Sequence, residues 1–410
     1  MPGSPISASR PRHHHHNHHQ SRRILPPLLL LSITLSIILF LFTFSSPRSP
    51  LPISSNLAAC DLADGEWIYD EGRTPRYDGG SCKEIYKGWN CGINGKENAR
   101  ELVKWRWRPR GEGCDVKGIE ARGFLEKHRG RSIGFVGDSL NRNMFVSLIC
   151  TLRLVSNDVK KWRPAKADRG FTFLEYNLTV AYHRTNLLAR YGRWAADPNG
   201  GVLESFGYKD GYKVDVDVPD SAWMEAPSFH DIIIFNTGHW WWAPVKFDPV
   251  KSPMLFFKEG KPVLPPVSPD AGLGMVLKHM IAFVETKMAP GGIKIFRTQS
   301  PRHFEGGDWN QGGSCPRVKP LTSMQVEELF ALEHNGTNVE TRLVNQHLFN
   351  ALKGSSFHIL DITHMSEFRA DAHPGKAGGK KHDDCMHWCL PGLTDTWNEL
   401  LAVLLNQIED

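Results

Sequence analysis

The chain has 410 residues, 49 of them Lys or Arg and 44 Asp or Glu, and a formal net charge of +5. Arg10, Arg12, Arg22, Arg23 and Arg48 are the only charged side chains before residue 49; taking these 5 from 49 leaves 44 basic residues against 44 acidic ones. The remainder therefore has no basic excess of the kind that holds nucleic acid, and it is long enough for one large core.

Residues 1–23 form a polar tail in which "HHHHNHH" (His13 to His19) reads as low-complexity sequence rather than a metal site. Residues 24–44 follow as an apolar span. Its stretch from Leu28 to Phe44 is interrupted only by Ser32, Thr34, Ser36 and Thr43. Crossing a bilayer takes about 20 such residues, whereas the core of a cleaved signal peptide is usually about 7 to 15. We read an uncleaved anchor. With the arginines ahead of it, the positive-inside rule predicts type II topology, the large C-terminal part lying outside the cytosol. Residues 45–59 read as a stem.

Eight cysteines, at 60, 82, 91, 114, 150, 315, 385 and 389, all follow the span. In a non-cytosolic chain they imply disulfides, though eight allow about 105 connectivities and spacing selects none. The sequons at Asn177 and Asn335 fit that compartment as glycosylation sites.

Residues 60–116 carry four of the cysteines and few long apolar periods, which predicts a small disulfide-stapled subdomain packed on a larger domain at 117–410. In that larger domain "SIGFVG" (132–137), "DIIIFNTG" (231–238), "GIKIFRT" (292–298) and "FHILDIT" (357–363) read as buried parallel strands. Helices are predicted at 140–152, with Leu140, Met144, Phe145, Leu148 and Ile149 on one face, at 271–288, as a pair over 322–352, and after Gly392. Strands alternating with helices predict an α/β fold with a central, mainly parallel sheet flanked by helices.

In such a sheet functional groups gather at the C-terminal ends of strands. "IGFVGDSLNRNMF" (133–145) places Ser139 there, in the first turn of a helix. Unpaired backbone N–H groups and the helix dipole would favour negative charge at its hydroxyl; the competing reading makes Asp138 or Ser139 a plain N-cap. A serine nucleophile needs a base, and the base an orienting group. "KKHDDCMHWCLPG" (380–392) supplies His387 and, three residues earlier, Asp384. The alternative here is a metal site built from His382, Asp383, Asp384, Cys385, His387 and Cys389. Against it, the paired Cys-x-x-Cys knuckle of structural zinc is missing and lumenal thiols tend to be bridged, so no metal is expected.

The run from Gly137 to Asn143 together with Asp384 to Gly392 resembles the plant trichome birefringence-like family of polysaccharide O-acetyltransferases, relatives of the GDSL/SGNH esterases. "CDLADGEWIYDEG" (60–72), "WRWRPR" (105–110) and "DTWNELL" (395–401) extend the likeness from about Cys60 to Gln407. The resemblance implies an SGNH-like layered domain in a Golgi type II enzyme. Ser139 would be the nucleophile, His387 the base and Asp384 the orienter, with acetyl-CoA as donor and a wall polysaccharide as acceptor. It also implies disulfides Cys60–Cys114, Cys82–Cys150, Cys91–Cys389 and Cys315–Cys385.

Candidate oxyanion donors are the backbone N–H near Ser139, the Asn236 side chain by analogy with the SGNH asparagine, and Arg142, whose other reading is a structural ion pair. Trp240, Trp241 and Trp242 follow the Asn236 strand. Consecutive side chains point different ways, so at least one is expected in the core and one in an acceptor groove. An esterase using the same three residues, or a non-catalytic wall-polymer binding protein, are the other functions open to this sequence. Near-neutral charge gives pectin no advantage over xylan, mannan or xyloglucan; xylan is the favoured acceptor.

Overall fold

The computed structural model describes residues 60–111, 114–243, 246–333, 338 and 340–409. The tail, the span at 24–44, the stem and Asn335 lie outside the described residues. Among those described, no helix is long and apolar enough to cross a membrane.

Near the start, β1 (Asp61–Tyr69) and β2 (Trp105–Arg110) pair as an antiparallel ribbon. They are followed by β3 (Ser132–Gly137), β4 (Val159–Trp162), β5 (Arg169–Phe173), β6 (Leu178–Arg184), β7 (Ala189–Ala195) and β8 (Asp210–Pro219). After these come β9 (Ile232–Phe235), β10 (Met254–Lys258), β11 (Lys261–Pro262), β12 (Ile293–Arg297) and β13 (His358–Leu360). Seven strands form the central sheet in the order β13-β12-β9-β3-β6-β5-β4. Its first five are mutually parallel, and β5 and β4 continue it antiparallel. A second sheet, β11-β10-β8-β7, has four strands.

The uninterrupted apolar run of β9 follows from helices covering both faces of the sheet. Ile232 and Ile234 join a core that includes the helix Ser139–Leu152 and Trp397, Leu400 and Leu401 of the helix Leu393–Glu409. Ile233 and Phe235 point the other way, against Leu273, Val276 and Leu277 of the helix Pro269–Lys287 and Val344 and Leu348 of the helix Glu340–Leu352. The strand covers the apolar run and is shorter than the expected 231–238, ending where the Asn236 side chain turns to Asp138. The pair expected over 322–352 is Ser323–Phe330, with a Thr322/Gln325 capping box, and Glu340–Leu352.

The helix Ser139–Leu152 differs from expectation. It is buried nearly all round, Asn141, Asn143 and Ser147 as well as its apolar residues. Buried polar groups need partners, and each of these three has one. The N-terminal segment shares the same core: Tyr77, Trp89, Leu102 and Trp107 pack in it. Four disulfides are present, Cys60–Cys114, Cys82–Cys150, Cys91–Cys389 and Cys315–Cys385, and two of them join the N-terminal segment to the helix after β3 and to the loop at 389. Asn177 is exposed at the turn between β5 and β6.

Candidate active site

At the end of β3 the chain turns sharply into a helix. Gly137 has φ +150°, and a Cβ there would lie 1.9 Å from Asn236 Oδ1, so the turn requires glycine. Asp138 caps the helix: its Oδ1 accepts from the Leu140 N–H at 2.9 Å. Asn236 grips the cap from both sides, donating Nδ2–H to Asp138 Oδ1 at 2.9 Å and accepting from the Asp138 N–H at 3.2 Å. The two readings of the motif are therefore compatible, Asp138 being the cap and Ser139 the first helical residue, half-buried with its hydroxyl free of capping duty.

Ser139 Oγ lies 2.8 Å from His387 Nε2. On the far side of the ring, Nδ1 is 3.0 Å and 3.2 Å from the two oxygens of Asp384, and Asp384 Oδ1 also accepts from the His387 N–H at 3.1 Å. Asp384 thus fixes both the imidazole and the backbone of the residue that carries it. Burial alone would push its carboxyl up, but the adjacent His387 imidazole and the Lys380 ammonium outweigh that and hold it well below the usual carboxylate range.

The loop bearing His387 is pinned to the nucleophile helix by that helix's own asparagines. Asn143 accepts from the Trp388 N–H at 2.8 Å and donates to the Trp388 carbonyl at 3.2 Å. Asn141 donates to the carbonyls of Val136 and Ile234 at 3.0 and 2.9 Å, tying the helix to the ends of β3 and β9. Gly-Asp-Ser-Leu-Asn-Arg-Asn is therefore one device: turn, cap, hydroxyl, strand clamp and loop clamp.

Arg142 makes no ion pair among the described residues. Its guanidinium lies over the rings of Tyr86 and Trp89, 5.7 and 5.6 Å from their centroids. Trp89 in turn packs on the His387 ring, centroids 5.2 Å apart. It reaches the site through the Cys91–Cys389 bridge and a hydrogen bond from the Leu390 N–H to its carbonyl at 2.9 Å.

Lys380 is a site residue to which sequence reasoning gave no role. Its Nζ donates to Asp384 Oδ2 at 3.0 Å and to the Gly88 carbonyl at 2.8 Å, and its place four residues before Asp384 was the available signal. Lys380→Met should lower kcat about two- to fivefold, the scale of a partly exposed ion pair, with little change in acceptor KM; steady-state kinetics at fixed donor would check this.

The tryptophan triplet divides. Trp241 is a correction to the expected acceptor set: it is 1% exposed, stacks on Phe256 at 6.3 Å and donates its Nε1–H to Thr237 Oγ1 at 3.0 Å, so it belongs to the core. Trp240 and Trp242 are half-buried. Trp240 directly follows His239, whose burial and whose neighbours Arg302 and His387 push its imidazole well down. Trp240→Ala should raise the acceptor KM about two- to tenfold, the range of one ring contact, with donor-side acetylation of the protein unaffected; equal losses on both sides would remove it from the groove.

The one cluster of potential metal ligands among the described residues is Cys315, Asp383 and Cys385. Its two cysteines are bonded to each other, which leaves a single carboxylate.

Residues 117–404 match the family described as GDSL/SGNH-like acyl-esterase found in Pmr5 and Cas1p, and residues 58–115 match the PMR5 N-terminal domain. Protein trichome birefringence-like 13 of Arabidopsis thaliana is 63% identical over 369 residues, which is 90% of this chain and 89% of the relative. The chain belongs to the trichome birefringence-like family. Protein trichome birefringence-like 12 of the same plant is 44% identical over 86% of this trichome birefringence-like chain and 88% of its own length. Xyloglucan O-acetyltransferase 4 of Populus trichocarpa is 30% identical over 85% of this chain and 82% of its own.

Proposed function

We propose that the protein is a polysaccharide O-acetyltransferase working through an acetyl-serine on Ser139. The observation that carries this reading is the unbroken chain from Ser139 Oγ through the His387 ring to Asp384. His387 Nε2 takes the Ser139 proton as Oγ attacks the acetyl carbonyl carbon of the donor, proposed as acetyl-CoA. The thiolate leaves and receives that proton. A sugar hydroxyl then gives its proton to His387 and attacks the acetyl-serine, and Ser139 recovers its proton as the acetyl ester departs. Asp384 keeps Nδ1 protonated and stabilises the imidazolium formed in each half-reaction.

The oxyanion of each tetrahedral intermediate would be met by backbone N–H groups at the start of the helix, with Arg142, held over Tyr86 and Trp89 and without an ion pair among the described residues, as the side-chain candidate. Asn236 has one amide hydrogen committed to Asp138, and its main part is to hold the turn.

Transfer is preferred to hydrolysis because two relatives are named xyloglucan O-acetyltransferases, at 28% and 30% identity. The acceptor is proposed as a cell-wall polysaccharide, with xylan and xyloglucan ahead of mannan and pectin. The site of action is proposed as the Golgi lumen, the protein held by a type II anchor at 24–44 and glycosylated at Asn177 and Asn335. The esterase reading is favoured by one observation, the acyl-esterase description of the matching family. Incubating the full-length protein with labelled acetyl-CoA and deacetylated oligomers of the four polymers decides between them. A mass gain of one acetyl unit identifies transfer and its acceptor; loss of acetyl from pre-acetylated oligomers with no gain in the others identifies the esterase.

A further inference from the structure

Behind the His387 loop two histidines form a closed chain of hydrogen-bonding contacts. His373 Nδ1 lies 2.7 Å from the His387 carbonyl, His373 Nε2 lies 2.7 Å from His303 Nδ1, and His303 Nε2 lies 2.8 Å from the Glu367 carbonyl. Both rings are buried, and Trp388 stacks on His373 with centroids 3.9 Å apart. A carbonyl only accepts, so both ends of this chain demand an N–H. The central contact needs one more hydrogen. Three bonds require three protons, but two neutral imidazoles carry only two. In every neutral arrangement one contact lacks its hydrogen: either the two central nitrogens face each other lone pair to lone pair, or a ring nitrogen faces a carbonyl in that way.

A second buried pair in the same molecule has no such conflict. His183 Nε2 and His230 Nε2 are 2.9 Å apart, and His183 Nδ1 faces the Ala222 carbonyl at 3.1 Å, while His230 Nδ1 meets no partner among the described residues. Two bonds there are met by two protons, and that pair is neutral.

We propose that His303 and His373 share one excess proton, three hydrogens on four ring nitrogens, and so clamp the backbone carbonyl of His387 as a positioning pair. Burial disfavours a charge on each ring and rules out two charges, pushing His303 taken alone down to about 4. The unmet hydrogen bond and the surrounding carboxylates favour one. Glu367, Asp371 and Glu305 face His303; Asp384 faces His373, with Lys96 opposing. Burial thus sets the ceiling and the hydrogen-bond count sets the number. Part of the clamp's value for catalysis rests on His387 being the base; the proton count does not.

Full-length protein carrying 15N in its histidine rings tests the count through one- and two-bond nitrogen–hydrogen correlations at pH 7. Signals are assigned by their loss in His303→Asn and His373→Asn. The expected result is three protonated nitrogens among the four of this pair, beside two among the four of His183 and His230. Two protonated nitrogens in the His303–His373 pair would overturn the proposal. The positioning role has its own readout. An asparagine amide stands where Nδ1 stood and still donates to the His387 carbonyl, so His373→Asn should retain at least tenfold more kcat than His373→Ala, with the same acceptor KM. Equal kcat in the two folded variants would overturn the clamp while leaving the count and the acetyl-transfer reading to their own measurements.

Discussion

Ser139→Ala should lower acetyl transfer by about 10^4-fold or more, about 5.5 kcal/mol of transition-state stabilisation, with no change in thermal stability. Ser139 Oγ contacts the His387 ring and carries no structural bond, since Asp138 is the cap. Alanine is also a good helix former at that position. His387→Ala should cost about as much and the double variant no more than either, because the groups act as one unit. Asp384→Asn should fall in the same range by favouring the wrong tautomer of His387. A folded Ser139→Ala that keeps a tenth of the rate would remove serine from the mechanism. The pH profile adds a check. With its folded carboxyl held well below the unfolded value of about 3.9, Asp384 contributes stability that is present above that value and lost only as the pH falls through the lower folded one. It therefore stays charged throughout the mildly acidic range, so replacing Lys380 should add no new inflection to the pH–rate profile above pH 5.

Removing the Cys91–Cys389 bridge, as the Cys91→Ser/Cys389→Ser double variant, should cost about 3–5 kcal/mol of stability and most of the activity. The bridge spans 298 residues and both cysteines are buried. It also sets Trp89 against the His387 ring. Cys60→Ser/Cys114→Ser supplies the contrast: that bridge closes the ends of the β1–β2 ribbon, so stability should fall while kcat holds. Thermal melts and initial rates below the lower melting temperature separate the two effects. Full activity in a folded Cys91/Cys389 variant would show that the loop holds His387 without the bridge.

What the sequence disclosed follows from how many faces each element buries. β3, β9 and β12 are covered on both sides, so their apolar runs are continuous and readable. The second sheet went unread. β7 carries Arg190, Gly192 and Arg193 on a largely exposed strand, which hides it. The alternation Val214-Asp215-Val216-Asp217-Val218 in β8 was a strand signal that could have been taken. At the site, Ser139, Asp384 and His387 were visible as residue types in two short motifs. Trp89 was not, because its contact with His387 depends on a bridge whose partner spacing cannot select. The buried asparagines of the Ser139–Leu152 helix were equally silent: helical periodicity registers apolar faces, and amides that bond strand ends and loops leave no period.

The order of residues along the chain has a consequence for biosynthesis. Ser139 is made 248 residues ahead of the histidine that faces it, and Trp89 earlier still. Until His387 is made, Ser139 lacks its proposed base, and the loop that brings it is then held by the Asn143–Trp388 hydrogen bonds and covalently by the Cys91–Cys389 bridge. On the proposed mechanism, a growing polypeptide that has not yet reached His387 cannot act, and the site is complete only once that loop has been made and docked.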